Sequence, residues 1–317
     1  MEKIWIADGH CDSLGDLTAG KRDLLGPSDL GHWDLVRAKA ANLGLQFFAA
    51  YIESEYKPFL ACQRGLEHLD TALKFIDSNP EDVFLIQNRS DLLKLGLANK
   101  IGILLNIEGG EILGESLFML DLIYRLGVRS IGLTWNERNA IADGVGETGS
   151  RGGLSQFGFQ VIARMNALGV MIDVSHINEA GFWDVINNTS SPIIASHSCA
   201  QRLCNHPRNL NDQQLRALAK NNGLIGVNFC QDFLCKNGRA SVDDVVKHIS
   251  YIAEIAGVEA VAFGSDFDGI PLAPEGIENV SKFPLLIDKL IKSGFSEVEI
   301  MKISHGNFVR VLDDVLK

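Results

Sequence analysis

The stretch "DGHCD" sets His10 and Asp12 two positions apart, directly after the apolar run Ile4–Ala7. In a strand that spacing turns both side chains to one face, where they can converge on a point. Four more ionisable residues follow apolar runs later in the chain: Glu108 after "GILLNI", His176 after "MIDVS", His197 after "IIAS" and Asp266 after "VAFGS". Imidazole and carboxylate together, with no thiolate, suit zinc or another divalent ion such as manganese or cobalt. Two such ions about 3.5 Å apart need a bridging carboxylate, and one glutamate with four flanking ligands is the inventory of a hydrolytic pair. The pair would lower the pKa of a shared water and make hydroxide at neutral pH. Asp266 is then placed to take the proton from that water and hand it to a leaving amine.

Each of these residues also has a local explanation. A lone histidine after a strand is commonly a hydrogen-bonded cap, Glu108 in "EGGE" could favour the N-terminus of a following helix, and Asp266 and Asp268 in "GSDFDG" suit a strand-to-loop turn. Six independent caps, however, have no reason to be confined to strand ends, nor to be His and carboxylate rather than Ser, Thr or Asn. Four other histidines serve as controls. His68 and His248 fall inside helical patterns, His32 in a polar loop and His305 near the C-terminal helix, and none is assigned chemistry. Cys11, between His10 and Asp12, faces the opposite side of the strand and reads as a packing residue.

Elements that could bring these residues to one rim are visible in the hydrophobic pattern. Short apolar runs recur at Ile4–Ala7, Leu43–Tyr51, Ile101–Ile107, Ser130–Thr134, Val170–Val174, Pro192–Ala195, Leu224–Phe229 and Ala260–Phe263. Helical patterns such as "FLACQRGLEHLDTALKFIDS" and "VDDVVKHISYIAEIAG" separate them, which is the signature of βα units on a parallel sheet. Eight strands in this length predict an α/β fold, a (β/α)8 TIM barrel of the metal-dependent hydrolase type, with catalytic residues at the C-terminal ends of the strands. A doubly wound open sheet is the alternative. "VFLIQ" at 83–87 reads as a ninth strand or a hairpin partner, and the interval before residue 43 carries only weak helical signal. No linker, low-complexity segment or repeat divides the chain, so 1–317 is expected to be a single barrel domain.

Composition narrows the partners. Forty acidic against 29 basic residues give a net charge of -11, which disfavours nucleic acid because its affinity rests on cationic neutralisation. Neither a signal peptide nor an uninterrupted apolar stretch of membrane-spanning length is visible, so no membrane association and a cytoplasmic location are expected. Six cysteines in 317 residues do not make a disulfide scaffold; Cys199/Cys204 and Cys230/Cys235 share a C-x4-C spacing, looser than the usual zinc spacings, and read as reduced thiols.

Taken together and in order, "DGHCDSL", "NIEGG", "DVSHIN", "ASHS" followed by "HPRNL", "GSDFDG" and "HGNFVRVL" resemble the membrane dipeptidase (renal dipeptidase) family of zinc peptidases, peptidase family M19. The resemblance runs from residue 8 to about residue 311, almost the whole chain, and the ordered set is specific although each motif alone is weak. It implies that His10 and Asp12 bind one zinc, that His176 and His197 bind the other, and that Glu108 bridges them. It further implies that Asp266 is the acid/base and that Arg208 receives the C-terminal carboxylate of a small peptide substrate, a task suited to a guanidinium with two parallel donors. The family's tolerance of D-residues at the C-terminal position extends the expected substrates to L,D-dipeptides, and its members are commonly homodimers. One departure stands out: where relatives carry a histidine that helps hold the substrate carbonyl, this chain reads "GLTWNERN" with Trp135, leaving Asn136, Asn139 or the metal to polarise the carbonyl. The changed loop leaves room for a related barrel hydrolase acting on a lactone, cyclic amide or phosphoester. A binding protein with a decayed site is a third reading, weakened by the presence of all five expected ligands and Asp266.

Overall fold

The computed structural model describes residues 4–97, 99–236 and 239–317. Its strands are β1 (Ile6–Cys11), β2 (Leu43–Tyr51), β3 (Val83–Leu85), β4 (Ile101–Glu108), β5 (Val128–Gly132), β6 (Met171–Asp173), β7 (Ile194–Ser198), β8 (Leu224–Val227) and β9 (Val261–Phe263). All pairings between them are parallel, and β1, β2 and β4 to β9 close into a ring through β1–β9 and β2–β4 contacts. With helices around the ring, the fold is an eight-stranded (β/α)8 barrel. Strands such as β4, "IGILLNIE", are buried along their whole length, as expected when a parallel sheet is covered on both faces.

The ambiguous run at 83–87 is the short strand β3, which pairs with Ile101–Ile103 at the start of β4. Further along, the same edge of β4 is taken by β5, from Leu105 onward, so β3 lies outside the ring. The first strand is shifted from the expected Ile4–Ala7 to Ile6–Cys11. Its polar centre is the reason. Asp8 is fully buried and accepts from the Ser265 N–H at 2.7 Å, the Ser265 hydroxyl at 2.6 Å and Gln46 Nε2 at 3.0 Å, so the strand continues through residues that hydropathy alone reads as its end. The seventh strand likewise extends past the expected Ala195 to take in Ser196, His197 and Ser198.

Helix ends follow local chemistry. Ser155 accepts from the Gly158 N–H to start the helix Gln156–Leu168, which stops at Gly169 with φ of 77°, a left-handed conformation that glycine adopts without steric cost. Asn211 and Gln214 form a capping box at the start of Asp212–Lys220, an arrangement worth about 1 kcal/mol.

Between β1 and β2 stand two single-turn helices, Ser13–Thr18 and Leu35–Ala40, joined by a strap without helix or strand. At the opposite pole, Ala7, Leu45, Phe47, Leu104, Met171, Ile194, Leu224 and Ala262 form a buried cluster with Phe308, Val311 and Leu312 of the helix Asn307–Val315. That helix plugs the barrel at the end where the strands begin, leaving the other end for the site. No described helix is long and apolar enough to cross a membrane.

Candidate metal centre

The six residues singled out by spacing all lie at the C-terminal ends of strands. His10 is the penultimate residue of β1 and Asp12 lies one residue beyond the strand, Glu108 ends β4, and His197 lies within β7. His176 and Asp266 follow β6 and β9 by three residues each and adopt left-handed backbone angles, φ 69° and 61°. Non-glycine residues rarely hold that conformation, and where they do they are often at functional turns.

Barrel closure brings the side chains together. Glu108 divides its carboxylate: Oε1 stands 3.0 Å from His176 Nε2 and 3.7 Å from His197 Nε2, while Oε2 stands 3.3 Å from His10 Nε2. His10 Nε2 is also 3.3 Å from Asp12 Oδ2 and 4.0 Å from Asp266 Oδ1. Three sets of ligand atoms result, Glu108 with His176 and His197, His10 with Asp12 and Asp266, and His10 with Asp173 and His197; within each set the atoms lie within 4.8 Å of one another. No cysteine joins any such set among the described residues. The C-x4-C sulfurs are free thiols, with Cys199 donating to the Asn228 carbonyl and Cys204 to that of Asp232.

A layer of hydrogen bonds behind the cluster fixes which nitrogen each imidazole presents. Asn136 Oδ1 lies 2.8 Å from His176 Nδ1, so that nitrogen donates and Nε2 carries the lone pair. Ser196 gives its hydroxyl proton to Asp173 and stands 2.7 Å from His197 Nδ1, so His197 also donates from Nδ1. Both histidines therefore aim lone pairs at one another across 2.8 Å, an arrangement that repels unless a cation sits beside it. His10 is fully buried with neither ring nitrogen hydrogen-bonded. Buried polar atoms without partners are rare in proteins. The donor set and its orphaned nitrogens thus fit divalent metal ions.

The electrostatics agree with that chemistry. Burial, with the Arg208 charge, holds the His176 imidazole down at about 3, and burial beside His10 holds His197 well below its usual range. Neutral imidazole is the form that binds metal. Burial pushes the Glu108 carboxyl up, but His10 and His176 outweigh it and keep Glu108 well below the usual carboxylate range. Asp266 is raised by burial and by the Glu108 charge, against the pull of His10, Asn228 and Arg208. Its Oδ2 accepts from Asn228 Nδ2 at 2.9 Å.

The cluster opens into a cavity of about 510 Å3, lined among others by Tyr51, Trp135, Asn136, Arg208 and Phe233, within the range of small-molecule sites. Arg208 is 5% exposed, yet among the described residues it makes no carboxylate pair. It donates to the His197 carbonyl at 3.1 Å and to Ser198 at 3.5 Å, lies 5.5 Å from the Phe233 ring centroid, and leaves Nε without a partner. A buried guanidinium with a spare donor can grip an anionic ligand. Of the two asparagines considered as replacement donors near Trp135, Asn139 is consumed by its own loop, bonding the Leu133 carbonyl and the Ile141 and Ala142 amides. Asn136 faces the cavity. Trp135 stacks obliquely on Tyr51 (5.3 Å) and His176 (5.9 Å), with Lys57 Nζ 5.1 Å from its ring centre.

Sequence reasoning missed Asp173 and Ser196, on β6 and β7, and Asn228, just past β8, which orient the site. Asp173 and Ser196 lie inside "DVSHIN" and "ASHS", but their partners are 1, 23 and 38 residues away, and no local pattern gives them a role.

Comparisons with known proteins agree with this architecture. A family model described as Membrane dipeptidase (Peptidase family M19) matches residues 1–317. An uncharacterized dipeptidase of Schizosaccharomyces pombe is 39% identical over 296 residues, which is 88% of this chain and 71% of that protein. The structure of the dipeptidase AC, a metallopeptidase of family M19, superposes with a TM-score of 0.94 at 28% identity over 99% of both chains. A metallopeptidase from Rhodobacter sphaeroides, liganded with a phosphinate mimic of the dipeptide L-Ala-D-Ala, superposes with a TM-score of 0.93 at 28% identity, covering 99% of this chain and 100% of that one.

Proposed function

The chain belongs to the membrane dipeptidase family and is a metal-dependent hydrolase, and from that premise we propose that it is a binuclear zinc dipeptidase cleaving dipeptides with a free C-terminal carboxylate. The observation that carries the reading is the divided carboxylate of Glu108, one oxygen toward His176 and His197 and the other toward His10. His10 and Asp12 would hold one ion and His176 and His197 the other, with Glu108 between them. Bound there, the pair supplies hydroxide from water at neutral pH and polarises a carbonyl.

The remaining chemistry falls to this chain's side chains. Arg208, buried and with a free Nε, takes the C-terminal carboxylate and so measures the substrate from that end. Asp266, its Oδ2 tied to Asn228, keeps Oδ1 toward His10 and carries the proton from the attacking water to the leaving amine. Burial raises its pKa, which suits a carboxyl that must hold a proton in mid-reaction. Asn136 and Ser196 hold the histidine rings in place. Trp135 and Tyr51 wall the cavity. The L-Ala-D-Ala mimic on the Rhodobacter sphaeroides relative supports extending the substrates to L,D-dipeptides.

Elemental analysis of protein purified without added metal, run beside hydrolysis of L,L- and L,D-dipeptides with and without a chelator, tests the reading. About two zinc equivalents and chelator-sensitive cleavage are expected. Metal-loaded protein that leaves every dipeptide intact would move the function to a lactone, cyclic amide or phosphoester, a second reading favoured by the indole of Trp135 over His176. Protein that takes up no metal on reconstitution would remove the ligand assignment.

A further inference from the structure

Asp268 follows Asp266 by two residues, yet its carboxylate points away from the metal ligands. Its Oδ2 accepts from the Ser13 hydroxyl and from the Arg22 guanidinium. Its Oδ1 accepts from the His32 N–H at 2.5 Å, and its own N–H donates to His32 Nδ1 at 2.9 Å. The pair is buried, with side-chain exposures of 5% for Arg22 and 3% for Asp268. Arg22 spends its other donors on Asp16 Oδ2 at 2.9 Å and the Trp33 carbonyl at 2.7 Å. One carboxylate therefore gathers three segments: the start of the helix after β1, the strap between the two short helices, and the loop after β9.

What that clasp encloses is the acid side of the site. Asp266 N–H donates to the His10 carbonyl at 3.2 Å and Asp12 N–H to the Phe267 carbonyl at 2.8 Å, so residues 10–12 and 266–267 run bonded side by side. Asp266 and Asp268 both hold left-handed angles, φ 61° and 68°, which cost an ordinary residue about 1 kcal/mol or more each and persist only where the surroundings dictate them. A Cβ at Gly269 would collide with Asp12 Oδ2 and Asp266 Oδ1. The turn thus presses its backbone against both carboxylates at once. The strap that Asp268 secures contributes Ala19 and Lys21 to the cavity wall.

We propose that Asp268 is a positioning residue for the reaction: through Arg22 and Ser13 it locks the Asp266–Gly269 turn against Asp12, setting the distance between the proton carrier and a metal ligand. It also joins that turn to the strap at the cavity mouth. The inference rests on the roles given above to Asp266 and Asp12. A buried ion pair that served stability alone would, when broken, lower the melting temperature and leave turnover per folded, metal-loaded molecule unchanged. A positioning pair lowers kcat itself, because a displacement of about 1 Å at the reacting groups can cost on the order of 100-fold.

The test compares wild type with Asp268→Asn, Arg22→Gln and the double variant, each assayed on a dipeptide and corrected for metal content and folded fraction. Amide hydrogen exchange is followed over residues 10–13 and 266–269. Asp268→Asn keeps the shape and the acceptor for His32. We expect kcat to fall about 10- to 100-fold in each single variant, with KM within about 3-fold, the double variant no worse than the poorer single, and faster exchange in both segments. Should Asp268→Asn not fold, Arg22→Gln and Ser13→Ala decide by the same readouts. Unchanged kcat per loaded molecule, or losses that multiply in the double variant, would overturn the proposal. If wild type binds metal but cleaves no dipeptide, the substrate reading fails by itself and exchange alone judges the clasp: faster exchange at 10–13 in Asp268→Asn supports it, and unchanged exchange overturns it.

Discussion

His176 and His197 face each other through Nε2 atoms 2.8 Å apart, each with Nδ1 already committed to a partner of its own. Two neutral imidazoles so placed have no proton left to share, and Glu108 Oε1 closes the group at 3.0 Å from His176. Replacing Glu108 by Gln removes the anion whose two oxygens face His176 and His10. Glu108→Gln is expected to retain less than half of the wild-type metal after dialysis and to lose at least about 1,000-fold in kcat/KM. Metal analysis of the dialysed variant checks this, and full metal occupancy would show that Glu108 is not shared.

Asp266 is expected to behave differently. Asp266→Asn preserves shape and the contact with Asn228 but cannot carry a proton, so metal content stays near wild type while kcat drops about 100- to 10,000-fold. Steady-state kinetics on metal-quantified protein reads this directly. Turnover at the wild-type rate would end the proton-carrier assignment.

The role proposed for Arg208 is to hold substrate without entering bond breaking, so Arg208→Ala should raise KM for dipeptides about 30- to 1,000-fold with kcat changed far less, the pattern of lost uniform binding. A substrate-side control accompanies it: dipeptide amides, lacking the carboxylate, should be poor substrates of wild type and be handled equally by the variant. An unaltered preference for the free acid in Arg208→Ala would place carboxylate recognition elsewhere.

A stability prediction comes from His68, to which no chemistry is assigned. It is 1% exposed on the helix Ala61–Ser78, its Nδ1 2.9 Å from Thr18 Oγ1 and its Nε2 3.8 Å from Glu53. Burial and the Arg64 charge, against the opposing pull of Glu53 and Glu67, hold its pKa down at about 4 from 6.5. Between those values the unfolded chain binds a proton that the folded one refuses, so stability is full above about pH 6.5 and is lost as the pH falls toward 4, by about 3 kcal/mol at most. Urea unfolding of wild type and His68→Gln across that window isolates the effect: the difference between their stabilities should shrink as the pH falls. Parallel curves would contradict it.

Much of this molecule was legible before its structure. Eight apolar runs at βα spacing gave the barrel, and the rule that barrel chemistry sits at strand C-termini placed His10, Glu108, His176, His197 and Asp266 on one rim. The errors have a common physical origin. Strands β1 and β7 carry buried polar residues, Asp8 and Ser196, whose partners Gln46 and Asp173 lie on other strands and Ser265 just past β9. Hydropathy ends such strands too early, because only closure of the ring supplies the hydrogen bonds that make burial tolerable. The strap before residue 43 was illegible for the same reason: Arg22 and Asp268 are 246 positions apart, and no local pattern announces a pair of that separation. Trp135 was visible as a departure, but its stacking on Tyr51 and His176 needed the end of β2 and two loops brought together in space.

The plug at the base of the barrel has a consequence for how the molecule comes into being. Ala7 in the first strand and Leu316 at the far end of the chain share one cluster, and residues 10–12 are zipped to residues 266–267. A polypeptide emerging from the ribosome can assemble neighbouring strand–helix units as they appear, β1 against β2 included, but it cannot close the ring until β9 exists, nor seal the floor until the helix Asn307–Val315 follows. Hydrolytic competence therefore arrives late, once β9 and the helix Asn307–Val315 are in place, and a polypeptide lacking that helix would have every ligand and an open floor beneath them.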